Sequence, residues 1–196
     1  MSFEARGRWV RRPFEMREDG DALRVEGYAA VFGEEADIAG LFREKIASGA
    51  FSEAISRDDV IFSYNHDDAT VMARTRSGTL TLVEDDRGLK MSSTLDPSDP
   101  DVQRIAAKMR RGDLDKMSFA FFVDREEWDD TGDVPVRTVR QATLHDVSVV
   151  TTPAYDGTEI GLRSLAEFRR ADRRHNFDAV RRRKRLMGAD LSRRGL

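Results

Sequence analysis

Apolar and polar residues alternate with a period of two along much of the chain, the pattern of strands buried on one face. FEMREDGDALRVEGYAAVFG holds two such runs around a Gly-Asp turn. TLTLVEDDRGLKMSSTLD is the clearest hairpin, two alternating strands joined through Asp86-Arg87-Gly88. DDVIFSY, residues 58–64, is a short apolar run that ends at Asn65-His66-Asp67-Asp68, a strand entering a polar loop. KMSFAFFVDREEW reads as another strand, and VRTVRQATLHDVSVVTTPAY contains one more, stopped at Pro153.

Two internal segments switch to a helical period. In LFREKIASGAFSEAISR the spacing predicts helix from Phe42 to Ile55, on either side of Gly49. DPSDPDVQRIAAKMRRGD carries start and stop signals: Ser98 or Asp99 as cap, Pro100 in the first turn, and Gly112 at the end. Val102, Ile105, Ala106 and Met109 form its apolar stripe. The C-terminal SLAEFRRADRRHNFDAVRRRKRLMGADL is helix-forming but spaces Leu165, Phe168, Phe177, Val180 and Leu186 irregularly. Mostly strands with two inserted helices imply an α+β or β-barrel-type domain and exclude a doubly wound one.

Composition sharpens this picture in three ways. The 196 residues suffice for one well-buried core, and 35% of them are charged. Cysteine is absent, which excludes disulfide scaffolds, thiol catalysis and cysteine-ligated zinc. No run of 18 apolar residues occurs, and MSFEARGRWVRRPFEM has no apolar signal core, so neither a membrane span nor a signal peptide is expected.

The net charge of −3 conceals an asymmetry. Residues 163–196 hold 12 Arg or Lys against 4 Asp or Glu, a charge of +8. The first 162 residues hold 21 basic and 32 acidic side chains, a charge of −11. Two regions follow: a body over 1–162 and a basic, helical or disordered tail over 163–196. The acidic body argues against a nucleic-acid binder, since no basic, aromatic-rich face accompanies the tail's arginines.

Candidate chemistry rests on few residues. Of three histidines, His175 lies in the arginine-rich tail and His145 alternates with Val147 and Val149. His66 stands in a polar loop directly after a strand, a frequent place for a general base. Ser118 and Ala120 share the strand face opposite Met117, Phe119, Phe121 and Val123. Small residues there suit either tight packing or a nucleophile with room for substrate. Asp146 sits in LHDVSVV, an apolar run where a carboxylate needs a partner: an arginine, or a histidine it orients. The order His…Ser…Asp matches none of the three common serine-hydrolase orders, and no G-x-S-x-G elbow is present. Metal ligation has little support, because His66-Asp67-Asp68 lacks a second histidine at helical spacing and DPSDPD lacks the glycine and glutamate of a calcium loop.

Taken in order, GYAAVFG, FREKIASGAF, YNHDD, KMSFAF and LHDVSVVTTPAY resemble the prohead (capsid maturation) serine proteases of HK97-type tailed bacteriophages and gene transfer agents. The likeness covers roughly residues 10–162. It implies a β-barrel-type domain ringed by helices, related to the herpesvirus assemblins, with a His…Ser…third-residue order. It makes His66 the general base, Ser118 the nucleophile and Asp146 the orienting carboxylate. Assemblins use a second histidine in the third role, which keeps His145 as the alternative. Ala120 stands where the family commonly has glycine, and no counterpart of the assemblin oxyanion arginines is found. The resemblance implies an endopeptidase that acts inside an immature capsid in the host bacterial cytoplasm; no cofactor is expected, because the sequence holds no metal-ligand constellation and no phosphate-cradling glycine loop. Its partners would be the major capsid protein with its scaffold segment, and the protease itself, in a form compatible with a homo-oligomer. A capsid-assembly or scaffolding protein of the same fold without activity is the alternative reading.

Overall fold

In the computed structural model the described residues are 4–8, 14–19, 22–152 and 163–171. Over residues 4–152, eleven strands and two α-helices follow one another: β1 (Glu4–Arg8), β2 (Phe14–Asp19), β3 (Ala22–Val31), β4 (Ala36–Ile38), β5 (Phe42–Ile46), α1 (Ser52–Arg57), β6 (Ile61–Tyr64) and β7 (Ala73–Arg74). Then come β8 (Leu80–Glu84), β9 (Gly88–Leu95), α2 (Pro100–Arg111), β10 (Lys116–Asp129) and β11 (Val136–Val150). The class is α+β, mostly strand.

The strands form two sheets. One has seven strands in the order β1-β10-β11-β5-β4, with β6 also on β11 and β7 on β6; the other is β2-β3-β9-β8. The expected barrel is therefore not closed, because no ladder joins the two sheets among the described residues. Nor do the described residues form a ring of helices: over 4–152 the α-helices are α1, of six residues, and α2, of twelve. The sheets instead share a core. Leu23 and Val25 of β3, Leu82 of β8 and Met91 of β9 belong to one apolar cluster with Met117, Phe119 and Phe121 of β10 and Val147 and Val149 of β11. Burial, not edge pairing, brings the two sheets together.

α2 has the ends its sequence announces. The Asp99 carboxylate accepts from the Asp101 amide at 2.8 Å, Pro100 opens the helix, and Gly112 ends it at φ +80°. Its buried residues are Val102, Ile105, Ala106 and Met109.

The helix expected over Phe42–Ile55 is corrected by the structure. Phe42–Ile46 is strand β5, running parallel to β11 with Arg43 opposite Val136, and helix is confined to Ser52–Arg57. Phe42, Glu44 and Ile46 alternate inward, and Glu44 is only 3% exposed. That carboxylate is tolerated because Arg137 of β11, 1% exposed, donates to it at 2.9 Å and also pairs with Glu126. A buried ion pair of this kind makes a strand look like an amphipathic helix on paper.

The chain divides into two compact units, Met1–Gly157 and Thr158–Leu196. In the second, 163–171 is helical; the rest of the basic tail, including Arg181–Arg185, lies outside the described residues, as do Pro153 and the Gly20-Asp21 turn. Among the described residues no helix is long and apolar enough to cross a membrane.

Gly88 pairs with Val31 at the start of β9, and a Cβ built there would lie 2.1 Å from the Ala30 carbonyl oxygen. Backbone cannot yield as a side-chain tip can. Gly88→Ala is therefore expected to destabilise the fold by about 2–3 kcal/mol, read as a lower midpoint in urea unfolding.

Candidate active site

The site forms where three strands lie in register. On β11, Ser148 is directly opposite Ser118 of β10 on one side and Ser63 of β6 on the other. Asp146 is opposite Ala120 and Ile61, two positions earlier on β11. Residues two apart share a face, so Ser118, Ala120, Asp146, Ser148 and Ser63 line one side of the sheet while Met117, Phe119 and Val147 enter the core.

A bulge sharpens this division. Ala120 pairs with Asp146 but Phe121 pairs with Leu144, which leaves His145 without a register partner on β10. The extra residue breaks strict alternation: Leu144 joins Val147 and Val149 in the core instead of sharing Asp146's face.

His66 enters from a tight turn at the end of β6. Asn65 and His66 both have positive φ, 54° and 59°, and the Asp67 amide donates to the Tyr64 carbonyl at 3.2 Å. Left-handed backbone is uncommon outside glycine, although asparagine and histidine accept it better than most. The surroundings hold it in place. The Asn65 amide donates to the Val149 carbonyl at 3.0 Å, and the His66 amide to Ser148 Oγ at 3.1 Å. Asn65 Oδ1 accepts from the Thr151 amide at 3.1 Å.

From this position the imidazole spans the other two candidates. Its Nε2 lies 2.7 Å from Ser118 Oγ and its Nδ1 2.7 Å from Asp146 Oδ1. An ionised carboxylate can only accept, which places the histidine proton on Nδ1 and leaves Nε2 to accept from the serine hydroxyl. His145, the alternative third member, is not the residue bonded to Nδ1; Asp146 is.

Asp146 is 1% exposed and the His66 side chain 11%. Oδ1 of Asp146 also accepts from Ser148 Oγ at 3.1 Å, while its Oδ2 is buried without a hydrogen-bond partner. A buried carboxylate left short of donors is costly, and that cost falls when a positive charge forms beside it. The arrangement thus favours an imidazolium at His66 at the moment the serine proton moves.

Two residues of the network escape notice in the sequence. Ser148 has one proton, and spends it on Asp146; it therefore accepts from both the His66 amide and Ser63 Oγ, the latter at 2.7 Å. The signal for Ser148 was its place two residues after Asp146 on one face. Nothing local marks Ser63, which needs the parallel pairing of β6 with β11 to meet it. Among the described residues no group of three or more His, Asp or Glu side chains is placed to hold a metal ion.

Comparison with known proteins adds three findings. The family model of caudovirus prohead serine proteases matches residues 12–171. Among solved structures, the bacteriophage T4 capsid assembly protease aligns with a TM-score of 0.48 and 14% identity, over 78% of this chain and 97% of that one. No curated protein matches the sequence significantly.

The geometry ranks three substitutions. Asp146→Asn is expected to lower kcat for peptide hydrolysis by roughly 10²–10⁴-fold, through loss of the favoured tautomer and of the charge beside the imidazolium. Ser148→Ala removes one hydrogen bond to the carboxylate and is expected to cost about tenfold. His145→Ala should leave kcat near its unaltered value. Steady-state kinetics on the three purified variants checks the order.

Proposed function

The chain belongs to the caudovirus prohead serine protease family, and from that membership we propose that His66, Ser118 and Asp146 are its catalytic triad. The observation that carries the assignment is the unbroken line of two 2.7 Å contacts from Ser118 Oγ through the imidazole to Asp146 Oδ1. Such a contact between nucleophile and base, with the base held by a third group, is the arrangement that activates a serine hydroxyl.

The chemistry follows from these atoms. Ser118 Oγ attacks the carbonyl carbon of the scissile peptide as its proton passes to His66 Nε2. The imidazolium, held by Asp146, then gives that proton to the leaving amine as the C–N bond breaks, and the acyl group remains on Ser118. His66 next takes a proton from water, whose oxygen attacks the ester; the carboxylic acid product departs and Ser118 recovers its proton. Backbone N–H groups near Ser118 are the candidates for holding the oxyanion. Asp146 stays ionised throughout, fixing the tautomer and offsetting the imidazolium charge.

As substrates we assign the scaffold segment of the major capsid protein and the protease itself, cleaved within the prohead. Family membership supports this placement, and the body over 1–162 is the unit assigned to catalysis. The His…Ser…third-residue order also supports the kinship with herpesvirus assemblins. For the tail over 163–196 we assign a detachable segment that helps to place the protease inside the prohead and is removed by self-cleavage. Its +8 charge opposes the −11 of the body, and blocks of like charge serve as interaction tails.

One pair of samples tests both assignments. Ser118→Ala deletes a single oxygen beside Ala120, so the variant should fold normally and lose cleavage of capsid protein by several orders of magnitude. Intact-mass spectrometry over time should show the unaltered chain losing mass from its C-terminus while Ser118→Ala stays whole. Near-normal capsid processing by the variant contradicts the nucleophile; uncut masses in both samples contradict the self-cleaved tail.

A further inference from the structure

Ser118 has no exposed surface, a condition at odds with attack on a peptide carbonyl from outside. The strand beside it is the chain's own N-terminal segment. β1 pairs antiparallel with β10 from Glu4 opposite Phe121 to Arg8 opposite Met117, with Gly7 opposite Ser118. The other edge of β10 belongs to β11, so β1 covers the edge of β10 along the five residues centred next to the nucleophile. A protease that reads extended peptides needs a free strand edge at this place, where main-chain hydrogen bonds can hold a substrate in register.

The occupant is built to be displaced. EARGR has three charged residues in five and a glycine, a poor composition for a strand. Register places the charged Glu4, Arg6 and Arg8 across from the buried Phe121, Phe119 and Met117, where an apolar partner would pair better. Backbone pairing along so short an edge opens at low free-energy cost. Only residues 9–13 separate β1 from β2, so the segment stays at high effective concentration beside the edge it leaves.

We propose that the edge of β10 from Met117 to Phe121 is the docking edge for one extended strand of peptide substrate, and that Glu4–Arg8 is its resident occupant, competing with substrate in cis. The proposal rests on Ser118 as nucleophile. Opening of β1 would free the edge and uncover Ser118 in one step, and a substrate peptide would close the sheet again.

The test measures how fast a small fluorophosphonate labels Ser118 in the full-length chain, with the labelled residue identified by mass spectrometry. Successive strand amides point to opposite edges, so Arg6→Pro with Gly7→Pro removes at least one donor facing β10 whichever way the strand lies. This variant is expected to label at least about tenfold faster, the scale of one or two lost backbone bonds, and a synthetic peptide of residues 1–10 should slow it again. Arg6→Val, a β-branched residue across from Phe119, should pair more firmly and label more slowly than the unaltered chain. If the double-proline chain does not fold, Arg6→Val decides: slower labelling supports the docking edge and an unchanged rate overturns it. Equal labelling of Ser118 in all folded chains, with no effect of the peptide, overturns the proposal and leaves Ser118 as nucleophile. Absence of labelling at Ser118 in every folded chain removes the nucleophile itself, and the docking edge with it.

Discussion

The register of β11 between its neighbours is the constraint on which the site depends. Sliding β11 by one residue against β10 would turn Asp146 and Ser148 into the core and carry Val147 to the surface. The core forbids this. Met117, Phe119 and Phe121 lie across from Val149, Val147 and Leu144, all buried, and each such side chain contributes about 1.5–3 kcal/mol when removed from water. The bulge at His145 completes the fit, because without the extra residue Leu144 and Asp146 would share a face and one of them would be misplaced. The geometry of the proposed triad is thus set by apolar packing on the opposite side of the same strands.

The same strand carries two buried charges, and their surroundings differ in an instructive way. β5 and β6 occupy successive stretches of one edge of β11, each parallel to it. β5 brings Glu44 to Arg137, whose guanidinium is further shared with Glu126. β6 ends in the turn that brings His66 to Asp146. At the first position opposite charges meet and the pair is structural. At the second the carboxylate faces an imidazole and keeps one oxygen without a donor. Strain concentrates at the same place, where two adjacent non-glycine residues take left-handed backbone.

Much of this was legible in the sequence, and the failures have physical causes. Alternation identified β8, β9, β10 and β11, and local capping chemistry identified α2 from its Asp99, Pro100 and Gly112. Family membership, too, could be read from short motifs in order, and the family model agrees. β5 was misread because Glu44 is buried by an arginine 93 positions later, a pairing no local pattern contains. The barrel was expected because strand content alone does not say whether sheet edges meet. A strict period of two would put Leu144 on Asp146's face; the bulge that moves it leaves no mark on the period until the register is known. Ser63 and β1 were invisible for a related reason: each acquires its role from a neighbouring strand distant in sequence.

The central claim is that Asp146 holds His66 in the tautomer that accepts the Ser118 proton. Proton NMR of the full chain with ¹⁵N-labelled histidine addresses it directly. The account predicts that His66 carries its proton on Nδ1, with a resonance far downfield of the amide envelope that is lost in Asp146→Asn and retained in His145→Ala. A neutral His66 protonated on Nε2, or a downfield signal indifferent to Asp146, would contradict it.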